Sequence, residues 1–415
     1  MRLNASKYNQ HWQDKTLIEL GSFQRGKSRH RPRNDPALFL GGKHPLIQTG
    51  EIKEANLYIT AHSEAYNDFG LAQSKLWPKN TLCITIAANI AETALLGYPM
   101  CFPDSVVGFN AYAEHSSELF MHYVFTYIRR AIQNSSTGSI QDNINIEYLT
   151  SLEFKIPVKI YQDKIASVLS TLDTKIDCNN RINAELEAMA KSLYDYWFVQ
   201  FDFPDTNGKP YKSSGGKMVY NAALKREIPE GWENKHLSQI ANITMGTSPS
   251  GDSLNDSGEG VEFFQGSTDF GWQFPTVRQY TTQPVRMAKR GDILLSVRAP
   301  VGDLNVAHID CCIGRGLAAL NSKDGFDGFL FYVMQYFKTI FERRNSEGTT
   351  FGSITKDDLH SLQLAYPTID LLKKYNEIVS GYSQMVFARS MENQQLAQRR
   401  DWILPLLMNG QVTVA

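Results

Sequence analysis

The residues Gly21-Ser22-Phe23-Gln24-Arg25-Gly26-Lys27-Ser28 satisfy the pattern GxxxxGK[ST], by which a glycine-rich loop cradles nucleotide phosphates. That chemistry also needs a helix starting at the Lys-Ser pair, with its N-terminal N–H groups aimed at the anion. Here Arg29-His30-Arg31-Pro32-Arg33-Asn34-Asp35-Pro36 follows, and two prolines in a basic run cannot make that helix. The segment predicts a glycine turn, not an ATP site. It suits a nucleic-acid contact better, because Arg25, Lys27, Arg29, Arg31 and Arg33 alternate with polar or turn residues, among them Gln24, His30 and Asn34. Alternation on an extended loop points several cations one way. Arg and Lys contact phosphates and guanine, while Gln and Asn pair with adenine edges. A solvated basic loop is the plainer alternative.

Polar residues beside apolar runs give further DNA-contact candidates: Gln48, Thr49, Lys79 and Asn89 in the first half, and Thr247, Ser248, Gln265, Ser267, Lys289, Arg290, Arg298 and Arg315 in the second. Gln48-Thr49-Gly50 and Gln265-Gly266-Ser267 follow the comparable apolar pairs Leu46-Ile47 and Phe263-Phe264. The marks of an enzyme are missing. No Asn-Pro-Pro-Tyr or Asp-Pro-Pro-Tyr segment is present to hold a flipped adenine, and no glycine fingerprint follows a strand. Glu153-Phe154-Lys155 with Asp142 upstream can be forced into a nuclease pattern, but such triplets are common by chance. The nine histidines include no HxxxH pair, so no metal ligand or catalytic residue is assigned.

Positioning any such loops requires folded domains, and 415 residues suffice for two or three. The chain is 42% hydrophobic, 11% aromatic and 20% charged, which excludes disorder and collagen. Forty-two Lys and Arg against 43 Asp and Glu leave a net charge of −1, so any nucleic-acid function rests on local charge. Cys83, Cys101, Cys178, Cys311 and Cys312 are scattered without a CxxC pair, which fits a reducing cytoplasm. The polar stretch Met1 to Lys15 predicts no secretory signal. The apolar window Thr81 to Phe102 carries Asn89, Glu92, Gly97 and Pro99 and opens on strand formers. It predicts a buried strand followed by loop and helix, not a membrane span.

The chain repeats itself. Trp12 through Gly26 aligns with Trp232 through Gly246, Pro78–Ile84 with Lys289–Leu295, and Gly138-Ser139-Ile140 with Gly352-Ser353-Ile354, each of the last followed by Leu residues and then Pro157 or Pro367. In the second copy Ala241 replaces the first glycine of the phosphate-loop pattern and Gly246-Thr247-Ser248-Pro249 lacks its lysine, so the halves share only a glycine turn.

After each proline comes a long segment rich in helix formers. Steps of four and three along the first give a seam through Ile165, Leu169, Leu172, Ile176, Asn179, Asn183, Leu186, Ala190, Leu193 and Trp197; the second gives Tyr375, Val379, Tyr382, Val386, Arg389, Asn393, Leu396, Arg400, Ile403 and Leu407. Both seams are polar at the centre. An antiparallel pair sets Asn179 and Asn183 opposite Arg389 and Asn393; a parallel one also matches centres, and the whole domain between the helices favours antiparallel. About 33 seam residues at 1.5 Å each span roughly 50 Å, the length of a ruler. The expected fold is mixed α/β (α+β): two globular recognition domains, residues 1–157 and 229–367, and two long helices, 158–203 and 368–415, packed as an antiparallel coiled coil with a pseudo-two-fold repeat. Residues 204–228, rich in turn formers, read as a linker.

This duplicated plan resembles the specificity subunit of type I restriction–modification systems over essentially the whole length. The segments that carry it are Leu17 to Ser28, Gln73-Ser74-Lys75-Leu76-Trp77-Pro78 to Phe109, Asn180-Arg181-Ile182-Asn183 to Trp197, and Ile228-Pro229-Glu230-Gly231-Trp232; Trp12 opens a divergent copy without the preceding Ile-Pro-Glu-Gly. The resemblance implies a non-catalytic reader of double-stranded DNA, and the scattered cysteines and the interrupted apolar window point to the cytoplasm without membrane contact. It implies two methylation subunits and, in the full assembly, restriction subunits. No cofactor is implied in this chain; S-adenosylmethionine, ATP and Mg would belong to the partners. Each domain would read one half of a split target, and divergent domains imply an asymmetric one. A coiled-coil adaptor with two protein-binding domains and no DNA contact is the alternative; it explains the helices and neutral charge but leaves the basic loop unused.

Overall fold

The computed structural model describes residues 2–3, 7–8, 10–87, 89–137, 144, 146–298, 300–346 and 353–414. Asp142 and the glycine turns Gly138-Ser139-Ile140 and Gly352 lie outside them. The chain divides into two compact units, residues 1–181 with 390–415, and residues 182–389. Each unit thus contains one α/β domain and a stretch of both long helices.

In the first unit, β1 (Gly21–Arg25), β2 (Tyr58–Ile59), β3 (Leu82–Thr85), β4 (Thr93–Leu96) and β5 (Val106–Ala111) form one sheet in the order β1-β5-β3-β4-β2. β3 is buried along its whole length, as its apolar run requires, and the following α1 (Glu118–Thr137) buries Phe120, Met121, Tyr123 and Phe125. The window Thr81 to Phe102 departs from the expected strand, loop and helix. Its second element is the strand β4, whose Glu92-flanked Thr-Ala-Leu-Leu contains good helix formers but pairs with β3 on one side and β2 on the other. Tertiary pairing takes the backbone bonds that local propensity would have given to a helix. Among the described residues no helix is long and apolar enough to cross a membrane.

The long α2 (Lys159–Tyr194) follows Pro157 and ends in a π-helical turn, Asp195–Val199, that buries Trp197 and Phe198. Residues beyond it are ordered by aromatic stacking of Phe203 on Tyr211 and Trp232, and by the hairpin Met218–Asn221 with Arg226–Pro229. In the second unit, β6 (Ala241–Met245), β7 (Ile293–Ser296), β8 (Leu304–Val306) and β9 (Leu317–Ser322) pair in the order β6-β9-β7-β8, all antiparallel. Then come α3 (Asp327–Ser346) and the second long helix, α4 (Ile369–Met408), which contains Pro405.

Strand register establishes the repeat residue by residue. β1 Gly21 faces Ala111 and β6 Ala241 faces Ser322; Thr16 faces Glu153 and His236 faces Gln363. Trp12 and Trp232 therefore correspond, as do Pro157 and Pro367. The same equivalence carries the pair Glu92–Arg129 onto Asp303–Lys338, ion pairs of 2.8 and 2.7 Å that fasten the turn after the central strand to α1 or α3. Ala91 adopts φ +60° where the second copy has Gly302 at +95°, so the left-handed turn is retained with and without glycine.

The helices pack antiparallel. Within the first unit Asn179 donates to Asn393 (2.9 Å) and to Glu392 (2.8 Å), and Asn393 donates back to Asn180 (2.7 Å). Toward the start of α2 and the end of α4, Asp173 meets Arg400 at 2.7 Å. Ascending numbers on one helix meet descending numbers on the other. Within the second unit the Tyr375 hydroxyl reaches the Ala190 carbonyl at 3.3 Å. Of the expected seam, Leu169, Ile176, Asn179, Asn183, Leu186, Val379 and Val386 are buried, whereas Leu172, Tyr382, Asn393 and Leu396 are half-buried. Arg389 turns back to its own helix and donates to the Met385 carbonyl.

Candidate nucleic-acid interface

The segment after β1 has no helix at Lys27-Ser28; the chain runs irregularly to a single 3-10 turn at Pro36–Leu38. Gly26 is required by close approach. A Cβ there would stand 2.3 Å from the carbonyl oxygens of Phe102 and Pro103, and one on Gly246 would stand 2.2 Å from that of Gly314. Both glycines donate to the first residue of a neighbouring strand, Gly26 to Val106 and Gly246 to Leu317, each at 2.9 Å. The shared turn is thus a device for closing a loop over the sheet end.

From this turn the basic loop spreads with unequal freedom. Arg33 grips Asp104 with two bonds of 2.8 and 3.1 Å, and His30 pairs with Asp35 at 2.7 Å. The Ala37 N–H, and then His30, hold the Asp35 carboxyl below the usual carboxylate range. Arg31 folds back onto the carbonyls of Ser28 and His30. Gln73 accepts from the backbone N–H groups of Arg29 and His30 and so shapes the loop. Among the described residues Arg25, Lys27 and Arg29 have no side-chain carboxylate partner, which leaves their charge for an external anion.

Strand direction decides which other candidates join them. β3 runs antiparallel to β5, with Ile84 and Arg25 both opposite Val107, so Asn89, beyond the end of β3, lies at the basic loop's end of the sheet. Lys79, before β3, lies at the other end. In the second domain Ser248 donates to Gln265 (3.2 Å) and accepts from the Arg315 backbone (3.4 Å), while Thr247 donates from its backbone to Ile313 (3.0 Å). Ser267 opens the adjacent 3-10 turn, Ser267–Asp269. Arg298 follows β7 at this same end, where Val297 bonds Gly316. Lys289 and Arg290 precede β7 at the far end, and Arg290 stacks on Phe387 of α4 at 4.6 Å. The parallel pairings Leu46 with Cys101 and Phe263 with Cys312 equate Gln48 with Gln265. Gln48 and Thr49 open the short helix Thr49–Glu54, where Gln48 contacts both Glu51 and Glu64, an acidic setting for a phosphate contact.

Sequence reasoning missed Lys75, which lies beside Lys27; burial, and then Lys27, lower its pKa. It also missed Asp173, buried within the first unit between Arg400 and the Tyr123 hydroxyl, the latter at 2.6 Å. A signal existed for Asp173. Moving outward along antiparallel helices from the Asn179–Asn393 contact brings an acid on one helix level with a base on the other. Among the described residues no cluster of His, Cys, Asp and Glu could hold a metal ion. The triplet Glu153-Phe154-Lys155 is a strand paired with Trp12–Thr16, and Lys155 is bound to Asp14 at 2.7 Å.

Two α/β domains of one repeat, each closing a polar loop over the same sheet end and each joined to an antiparallel helix pair, define a class of internally duplicated two-domain proteins. Residues 9–188 and 229–385 match the family model described as type I restriction modification DNA specificity domain. The chain belongs to that family. It is 34% identical over 296 residues to the MjaX specificity subunit of Methanocaldococcus jannaschii, covering 70% of this chain and 65% of that relative's length. It is 22% identical over 430 residues to the type I restriction enzyme MjaIX specificity subunit of the same organism, covering 99% and 96%. A crystal structure of the type I restriction–modification S subunit from M. genitalium shares the fold, with a TM-score of 0.58 and 17% identity over 98% of each chain. Specificity subunits of this family are the non-catalytic members of their systems.

Proposed function

We propose that this chain selects the DNA sequence on which a type I restriction–modification complex acts. Residues 1–157 read one half of a split, asymmetric target and residues 229–367 the other. The helices of residues 158–203 and 368–415 set the gap between the halves, and 204–228 links the repeats. Two methylation subunits and, in the full assembly, restriction subunits bind the chain and bring S-adenosylmethionine, ATP and Mg, all in the cytoplasm. The observation that carries this reading is the repeated loop at one sheet end, with Arg25, Lys27 and Arg29 free of carboxylate partners among the described residues in the first domain and Ser248, Gln265 and Arg315 gathered in the second.

Exchange of residues 12–157 for the first domain of another family member, followed by methylation mapping with the partner subunit, tests it. One altered half-site is expected; alteration of both would refute modular reading. Inserting a heptad in both helices lengthens the tolerated gap by roughly 10 Å, about three base pairs. Absence of any shift on random DNA at low salt, for the chain with its methylation partner, would favour the adaptor.

A further inference from the structure

Gln24, at the exposed end of β1, does not present its amide freely. Its Oε1 accepts a hydrogen bond of 3.0 Å from Lys75 Nζ, and that ammonium stands 3.6 Å over the indole of Trp77. Trp77 is 2% exposed, and it stacks on Phe102 at 4.9 Å. The Phe102 carbonyl oxygen is also one that a Cβ on Gly26 would meet, at 2.3 Å. The lysine therefore rests on an immobile aromatic stack, with both ring attraction and a hydrogen bond to hold it.

An ammonium has three donors and no acceptor, so the amide atom facing Lys75 is the oxygen. The Gln24 Nε2 group is thereby turned away from Lys75, and among the described residues it donates to nothing. A glutamine reads adenine by accepting from N6 and donating to N7 at once, which a committed oxygen prevents. What remains is a pair of adjacent donors, Gln24 Nε2 and the spare N–H bonds of Lys75. Guanine offers two acceptors, N7 and O6, on its major-groove edge; thymine offers one acceptor and a methyl group.

Resting on the DNA-reading function above, we infer that Gln24 and Lys75 form a composite donor fork selecting guanine in the half-site read by the first domain. The second domain has no copy of it. Strand pairing equates Trp77 with Ala288, hence Lys75 with Arg286, and Gln24 with Thr244. The fork thus makes the two readers unlike.

The test is selection of bound duplexes from a randomised library by the full chain with its methylation partner. Wild type is expected to enrich a split target with a guanine in the first-domain half. Lys75→Met frees the Gln24 oxygen and should reduce the preference for that guanine about tenfold, with adenine gaining and the second half-site unchanged. Lys75→Arg, which keeps a donor over the ring, should keep the guanine. A split target whose first half is indifferent to Lys75→Met, or lacks guanine, overturns the fork and leaves DNA reading intact. Failure of wild type to enrich any sequence overturns both.

Discussion

Asp173 Oδ1 and Arg400 Nη1 lie 2.7 Å apart between the two long helices inside the first unit, with the Asp173 side chain 2% exposed. The other carboxylate oxygen accepts from Tyr123, and the Asp173 carbonyl accepts from Asn56, so helix and domain share the same residue. Burial raises the Tyr123 hydroxyl pKa, and the adjacent carboxylate adds to that shift. The second copy replaces Asp173 with Ser383 and Arg400 with Ala190, and there a cavity of about 390 Å³ lies beside Tyr332, Ser383 and Phe387.

Arg400→Met strands the buried carboxylate and should destabilise the protein by about 3–5 kcal/mol in denaturant unfolding. The double variant Asp173→Leu with Arg400→Met should recover most of that loss, because no buried charge remains. A loss under about 0.5 kcal/mol for Arg400→Met would show that the pair holds nothing.

Gly26→Ala and Gly246→Ala each push a methyl into a carbonyl oxygen, at 2.3 and 2.2 Å respectively. Each should cost about 1–3 kcal/mol of stability, and each should disturb the loop of its own domain alone. Thermal melts and half-site binding read the two effects separately.

His122 is buried against Thr93, and burial, then the charges of Arg129 and Arg400, push its pKa down to about 3. Its folded form stays neutral while the unfolded chain takes up a proton near the ordinary value of 6.5. The unfolded state therefore binds more protons between the two values, and stability falls as pH drops from about 6.5 toward 3. The slope from this residue is at most about 1.4 kcal/mol per pH unit. His122→Asn should flatten the stability profile in that window, and an unchanged profile would contradict the assignment.

Arg25, Lys27 and Arg29 have no carboxylate partner among the described residues, whereas Arg33 holds Asp104. Substituting the first three with Ala should weaken DNA binding and flatten its salt dependence by about 0.9 in logarithmic slope per lost phosphate contact. Arg33→Ala should change the slope less, since its charge is already engaged. Equal slopes for all variants would remove the loop from the phosphate backbone.

The sequence by itself determined the repeat, the two long helices, the rejection of the phosphate loop and the polar centre of the seam. These are properties of spacing: a Trp followed by a glycine turn, a period near 3.5, prolines where a helix would have to start. Tertiary structure alone decided the rest. It made Thr93–Leu96 a strand, paired with a neighbouring strand on each side, because tertiary pairing overrode the local preference for a helix. It separated Lys79, Lys289 and Arg290 from the other candidates, because a residue before a strand and one after it emerge at opposite ends of a sheet. It also spent Arg33 on Asp104 and turned the Gln24 amide toward Lys75, partners 71 and 51 residues away in the chain. Residue type fixes which hydrogen bonds a side chain can make, but only folding decides which of them are still open to a ligand.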